Sequence, residues 1–159
     1  MEILQYPHPF LFQKTAPVTV FGKELSVILD SMWETMVENK GVGLSGNQVG
    51  LPFSIFVMKG PNGRLDIINP HIVSKSLSFT AQKEGCLSAI GEFILIYRHS
   101  WIKLEYQDKD GNKKDIVLKD IYSVCAQHEV EHLEGKSFLQ NEGLPRFERK
   151  LLAKKWGLK

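Results

Sequence analysis

The chemistry in this chain is concentrated in Gln127-His128-Glu129-Val130-Glu131-His132, a His-Glu-x-x-His arrangement. On a helix, residues i and i+4 lie one turn apart on the same face, so both imidazoles can point at one divalent metal ion. Glu129 then stands beside the ion, where a carboxylate can take a proton from an activated water. Ile121, Val124 and Cys125 share the face with His128 and make it apolar. Two histidines in an apolar stripe need partners if they are buried. The spacing therefore predicts a metal site of hydrolytic type.

Two histidines do not complete such a site, and a third protein ligand is required. Phe138, six residues after the second histidine, is no ligand, which separates this chain from proteases that place a third histidine there. The candidates are Cys86, Cys125, Glu131, Glu134, His71 and His99. Cys125 is on the right face, but its backbone would lie about 10.5 Å along the axis from that of His132. Cys86 lies in Glu84-Gly85-Cys86-Leu87-Ser88, a turn-like stretch that could present a thiolate and a backbone amide together. The residue types and spacing leave this choice open.

The elements that must position these groups follow from periodicity. Leu25, Ile28, Leu29, Met32, Met36 and Val37 recur at helical spacing over residues 24–38. A loop with four glycines follows at 41–50. Strands are expected at 53–58, at 65–73 with a break near Pro70, at 93–97 and at 101–107. Asp108-Lys109-Asp110-Gly111-Asn112 is a turn signal that closes a hairpin with residues 113–118. Helices are expected at 121–134, stopped by Gly135, and at 145–155. Strands clustered between helices, rather than alternating with them, predict an α+β fold with mostly antiparallel sheet.

The 159 residues suit a single domain spanning 1–159, with 43% hydrophobic and 24% charged residues. Folding can bury roughly 18,000 Å², enough for a core without disulfides, and Cys86 and Cys125 are expected to be reduced thiols. No apolar run approaches the roughly 20 residues of a membrane span. The first seven residues lack the basic and apolar regions of a signal peptide, so a cytoplasmic protein with no membrane role is expected. Net charge is +2, too small to indicate specific DNA binding. It is uneven: residues 146–159 hold six basic residues and one acidic, leaving −3 on the remainder. That tail reads as a solvated helix face, with RNA or an acidic partner as its other use.

Three motifs occur in order: Gly-Val-Gly-Leu-x-x-x-Gln-Val-Gly at 41–50, Glu-Gly-Cys-Leu-Ser at 84–88 and Gln-His-Glu-x-x-His-Leu-x-Gly at 127–135. Together they resemble the signature motifs of peptide deformylases, over nearly the whole chain. The resemblance implies strands packed around a central helix carrying the two histidines, with an N-terminal and a C-terminal helix. It implies removal of the formyl group from the N-terminal formyl-methionine of nascent chains. It makes Cys86, His128 and His132 the ligands of one Fe²⁺, with Zn²⁺, Ni²⁺ or Co²⁺ able to take its place. Glu129 becomes the acid/base, and the Gln48 side chain and Leu87 N–H the donors to the formyl oxygen. Val42, Gly43, Leu44, Glu84, Gly85 and Arg98 would contact the peptide, and Ile121, Val124 and Cys125 would receive the methionine side chain. Ribosome contact would fall to the basic tail. The alternatives are an amidase for another N-acyl group, or a non-catalytic metal- or ribosome-binding relative; the intact catalytic set weighs against the second.

The chain departs from the family pattern in two places. Gly46-Asn47 stand where the family has Ala-Pro before the glutamine, and Ala89-Ile90-Gly91 follow the cysteine motif where a proline is common. Loss of a rigid proline predicts a looser Gln48, and restoring Ala-Pro is expected to raise turnover.

Overall fold

The computed structural model describes residues 1–158. Its elements are helix α1 (Lys23–Glu38), strands β1 (Gly43–Ser45), β2 (Ile55–Gly60), β3 (Gly63–Lys75), β4 (Phe79–Cys86), β5 (Ala89–His99), β6 (Trp101–Gln107) and β7 (Lys113–Lys119), then helices α2 (Asp120–Leu133) and α3 (Arg146–Trp156). Every strand pairing is antiparallel. Five strands form one sheet in the order β1-β2-β3-β6-β7, while β4 and β5 form a separate two-stranded sheet. This is the expected α+β architecture.

Helix α2 touches strands of both sheets. Residues 123–129 are all buried, so no face of its middle turns is left to solvent. Apolar residues α2 shares with the large sheet, Cys125, Ala126 and Leu133, pack with Phe56, Met58, Ile102 and Leu104. Its polar residues are satisfied at the end of β5. Ser123 Oγ and Gln127 Nε2 donate to the His99 carbonyl at 2.8 and 2.9 Å, and Gln127 Oε1 accepts from His99 N–H at 3.2 Å. The glutamine before the first histidine thus moors the helix to the small sheet.

Three elements differ from expectation. Strand β3 runs through Pro70 rather than breaking there; its pairing with β6 shifts register between Ile68 and His71, where Asn69 sits at φ +51°. The bulge absorbs the missing proline N–H. Strand β4 lies where no strand is expected, because its inward positions are Thr80, Gln82 and Glu84 and carry no apolar alternation. Strand β1 is a three-residue edge strand inside the glycine-rich loop.

Gly135 ends α2 at φ +72°, donating its N–H to the His132 carbonyl at 2.9 Å. A Cβ there would lie 2.5 Å from the Phe12 carbonyl oxygen. Left-handed backbone costs a non-glycine residue about 1–3 kcal/mol before any clash is counted. Gly135→Ala is therefore expected to lower Tm by about 5 °C or more. A thermal melt within one degree of wild type would contradict this account of the helix end.

Candidate active site

Strands β4 and β5 are joined by a two-residue turn, Leu87-Ser88, with Cys86 opposite Ala89. The turn carries Cys86 to the histidine face of α2. Cys86 Sγ lies 3.2 Å from His132 Nε2, and the two Nε2 atoms lie 3.1 Å apart. All three ligand atoms fall within 4.8 Å of one another. One thiol and two imidazoles are the donor set of late first-row divalent metals. The other candidate ligands are occupied or distant from this point. Glu131 binds Arg98, Glu134 binds Lys136, His99 Nδ1 is 2.7 Å from the Ser76 carbonyl, and His71 is exposed on β3. Cys125 Sγ faces the Val42 carbonyl at 3.6 Å; burial, then nearby Glu129, pushes its thiol well up, so it stays protonated.

His128 is oriented from behind. Its Nδ1 lies 2.8 Å from Glu84 Oε2, which fixes the tautomer and leaves Nε2 for a metal. Glu84 also accepts from Arg98 Nε at 2.6 Å and Nη2 at 3.0 Å, and Arg98 reaches Glu131 at 2.8 Å. Burial favours the neutral acid at Glu84, but His128 and Arg98 outweigh it and hold the carboxyl below its ordinary value. Burial likewise opposes charge on His128, yet Cys86 and Glu84 raise it to about 10. Burial and then His128 push His132 the other way, well below the usual imidazole value.

Glu129 lines a cleft of about 760 Å³ beside these groups. Burial pushes its carboxyl up to about 7, with His128 and Ser45 opposing, and its Oε2 is buried without a hydrogen-bond partner in the chain. Gly43 of β1 makes this approach possible: a Cβ there would collide with the Glu129 carboxylate and lie 2.9 Å from Cys125 Sγ.

The glycine-rich loop is tightly held, which corrects the expectation of a loose Gln48. Gln48 is 1% exposed; its Oε1 accepts from Ser45 N–H and Oγ at 2.9 and 3.0 Å. Its Nε2 donates to Ser88 Oγ at 3.1 Å and reaches Cys86 Sγ at 3.5 Å. Asn47 is fully buried and its amide donates to the His132 carbonyl. A Cβ on Gly46 would lie 2.8 Å from the Phe53 carbonyl oxygen. Ser45 and Asn47 fall at variable positions of the 41–50 motif and Ser88 closes the 84–88 motif, but no local pattern signals that Ser45 and Ser88 hold Gln48 or that Asn47 reaches His132.

Of the expected substrate contacts, Val42, Gly43, Glu84, Gly85, Ile121, Val124 and Cys125 line the cleft, as do Gln48, Cys86, Leu87, His128 and Glu129. Two do not. Arg98 is 4% exposed and spends its guanidinium on Glu84 and Glu131 behind His128, so it supports the site rather than touching a peptide. Leu44 is fully buried, packed among residues of α1 and β2.

The family model described as polypeptide deformylase matches residues 1–146. The chain is 35% identical to a peptide deformylase of Wolinella succinogenes, with 95% of each chain covered. It is 40% identical to one of Caldanaerobacter subterraneus, with 82% of each covered. The solved peptide deformylase of Ehrlichia chaffeensis superposes with a TM-score of 0.89 at 33% identity, covering 99% of this chain and 94% of that one. With family model, relatives and architecture in agreement, this chain belongs to the peptide deformylase family.

Proposed function

We infer that this chain removes the formyl group from N-terminal formyl-methionine using one divalent ion held by Cys86, His128 and His132. The observation that carries the ligand set is the meeting of Cys86 Sγ and the two Nε2 atoms within 4.8 Å, beside an unpaired, buried Glu129 oxygen. Fe²⁺ is the ion the family resemblance favours, and the same donors suit Zn²⁺, Ni²⁺ and Co²⁺. When bound, the ion supplies a Lewis acid that acidifies water and polarises a carbonyl. A formyl-specific reaction is favoured over other N-acyl groups by the family assignment.

The chain's own residues then divide the work. Glu129, with a carboxyl near 7, accepts a proton from the attacking water and returns it to the leaving amine. As the formyl carbon becomes tetrahedral its oxygen gains negative charge, and Gln48 Nε2 and Leu87 N–H are the donors assigned to it. Both are held before substrate arrives: Gln48 by Ser45 and Ser88, and Leu87 by the hairpin turn and by Gln5, whose Nε2 donates to its carbonyl at 2.8 Å. Strand β1 is a sheet edge, so Val42 and Gly43 can pair with an extended peptide by strand addition, with Glu84 and Gly85 on the opposite wall. Ile121, Val124 and Cys125 supply an apolar wall for the methionine side chain. Arg146, Lys150 and Lys154 are exposed on α3, a basic face suited to ribosome contact. No described helix is long and apolar enough to cross a membrane; the proposed site of action is the compartment where formyl-Met chains are made, the cytoplasm or an organelle or host cytosol with such translation.

Three outcomes test these assignments. Cys86→Ser is expected to lower bound metal strongly, and Cys125→Ser to leave one ion per chain. Metal analysis giving the reverse would replace the ligand set. Glu129→Gln should keep the metal while kcat falls by about 10²-fold or more; turnover within tenfold of wild type would remove Glu129 from the acid/base role. Finally, Gly46→Ala combined with Asn47→Pro is expected to lower both Tm and kcat, because the new Cβ meets Phe53 and the tie to His132 is lost. A several-fold rise in kcat would show that the loop needs stiffening after all.

A further inference from the structure

Residues opposite each other in an antiparallel pair share a face. In the small sheet the register pairs Phe79 with His99, Ala81 with Tyr97, Lys83 with Leu95 and Gly85 with Phe93. The alternate residues Glu84, Ile94, Ile96 and Arg98 are buried against the rest of the protein. The outer face therefore presents Phe79, Phe93, Leu95 and Tyr97, exposed by 58, 64, 54 and 61%. At roughly 200 Å² per large side chain, this is on the order of 500 Å² of apolar surface, as large as the principal patch of a typical monomer. No other strand pairs with this sheet among the described residues. Lys83 is the one residue of fixed charge on the face, which argues against a phosphate-rich ligand.

The face is continuous with the cleft. Gly85 and Phe93 belong to both, and the Phe93 ring lies against Gly85, where a Cβ would be 2.9 Å from Cε1. A peptide whose formyl group lies at Cys86 and which leaves along β4 and β5 crosses Gly85 and Phe93 first. It then meets Leu95 and Tyr97, two and four residues further along β5, or about 7 and 14 Å.

We propose that the outer face of the β4–β5 sheet is a docking strip for the emerging substrate polypeptide. It selects chains with apolar side chains at about the fourth to seventh residues, the reach of an extended strand from Cys86. The inference rests on the deformylase reading of the cleft and adds a substrate preference to it. Apolar burial along the strip favours binding and leaves the reacting atoms unchanged, so the effect belongs in KM.

The test uses the metal-loaded enzyme and three substrates: formyl-Met-Ala-Ser, which ends before the strip, formyl-Met-Ala-Ser-Leu-Phe-Leu-Phe-Ser, and formyl-Met-Ala-Ser-Ser-Gln-Ser-Gln-Ser. The apolar octapeptide is expected to show a KM several-fold below the other two at similar kcat. Leu95→Ser with Tyr97→Ser should erase that advantage while leaving tripeptide turnover and Tm near wild type, since neither residue lines the cleft. Equal KM for the two octapeptides, or an advantage that survives the double substitution, overturns the docking strip. Equal KM accompanied by self-association that the substitutions abolish in sedimentation would overturn it in favour of a second copy of the chain. Absence of turnover on the tripeptide would instead overturn the deformylase reading itself.

Discussion

Glu84 accepts hydrogen bonds from two directions, from the Arg98 guanidinium and from His128 Nδ1, and both contacts are out of water. That carboxylate belongs to β4, Arg98 to β5, and His128 to α2, so one side chain joins the hairpin that carries Cys86 to the helix that carries the imidazoles. Buried ion pairs are poor sources of net stability, because desolvating the charges consumes most of what their attraction returns. Removing a single partner is different: an uncompensated buried charge costs about 3–5 kcal/mol. The Glu131–Arg98–Glu84–His128 chain thus makes one arrangement of hairpin and helix far better than its near neighbours. Its contribution is to register: it ties the hairpin that carries the thiol to the helix that carries both Nε2 atoms.

The opposite side of the site is set by close approach rather than by charge. Gly43 lets β1 pass directly over Glu129 and Cys125, and Gly46 lets the following turn pass against the Phe53 carbonyl. Asn47 then hooks the turn to the His132 carbonyl, near the end of α2. A proline at this position could restrict the backbone, but it has no donor to reach across to the helix. Rigidity here comes from a tertiary hydrogen bond, which explains how the loop departs from the family pattern without freeing Gln48.

Much of this was legible in the residues. The i, i+4 histidines and the apolar positions around them specify helix α2 and its inward face, and the Asp-Lys-Asp-Gly-Asn turn specifies the β6–β7 hairpin. What periodicity could not reach is the polar strand. Strand β4 turns half-buried Thr80 and Gln82 and buried Glu84 inward, so its inner face reads as surface until Arg98 and His128 are seen to satisfy Glu84. Arg98 failed as a substrate contact for the same reason: a lone arginine in a strand reads as solvated, and only tertiary structure supplies Glu84 and Glu131. The proposed third ligand, open on spacing alone, depends on a contact between residues 46 positions apart that local pattern does not encode.

A helix whose middle turns are enclosed on every side must satisfy each polar atom they carry, and α2 nearly does so. Ser123 and Gln127 are saturated by His99, and His128 by Glu84. Among the described residues, four of the five buried side-chain atoms left without partners gather instead at one place, the fifth being Arg149 Nε on α3. Glu129 Oε2 and His132 Nδ1 are on the helix, Asn47 Oδ1 belongs to the residue bound to the His132 carbonyl, and Tyr6 Oη belongs to the ring stacked on His132 at 6.4 Å. Native proteins leave few such atoms, and each needs a reason. Polar satisfaction thus fails chiefly around His132 and Glu129, the groups proposed to act on a substrate. The same burial that raises the Glu129 carboxyl toward neutrality leaves its Oε2 without a partner in the chain, as the proton acceptor proposed for it requires.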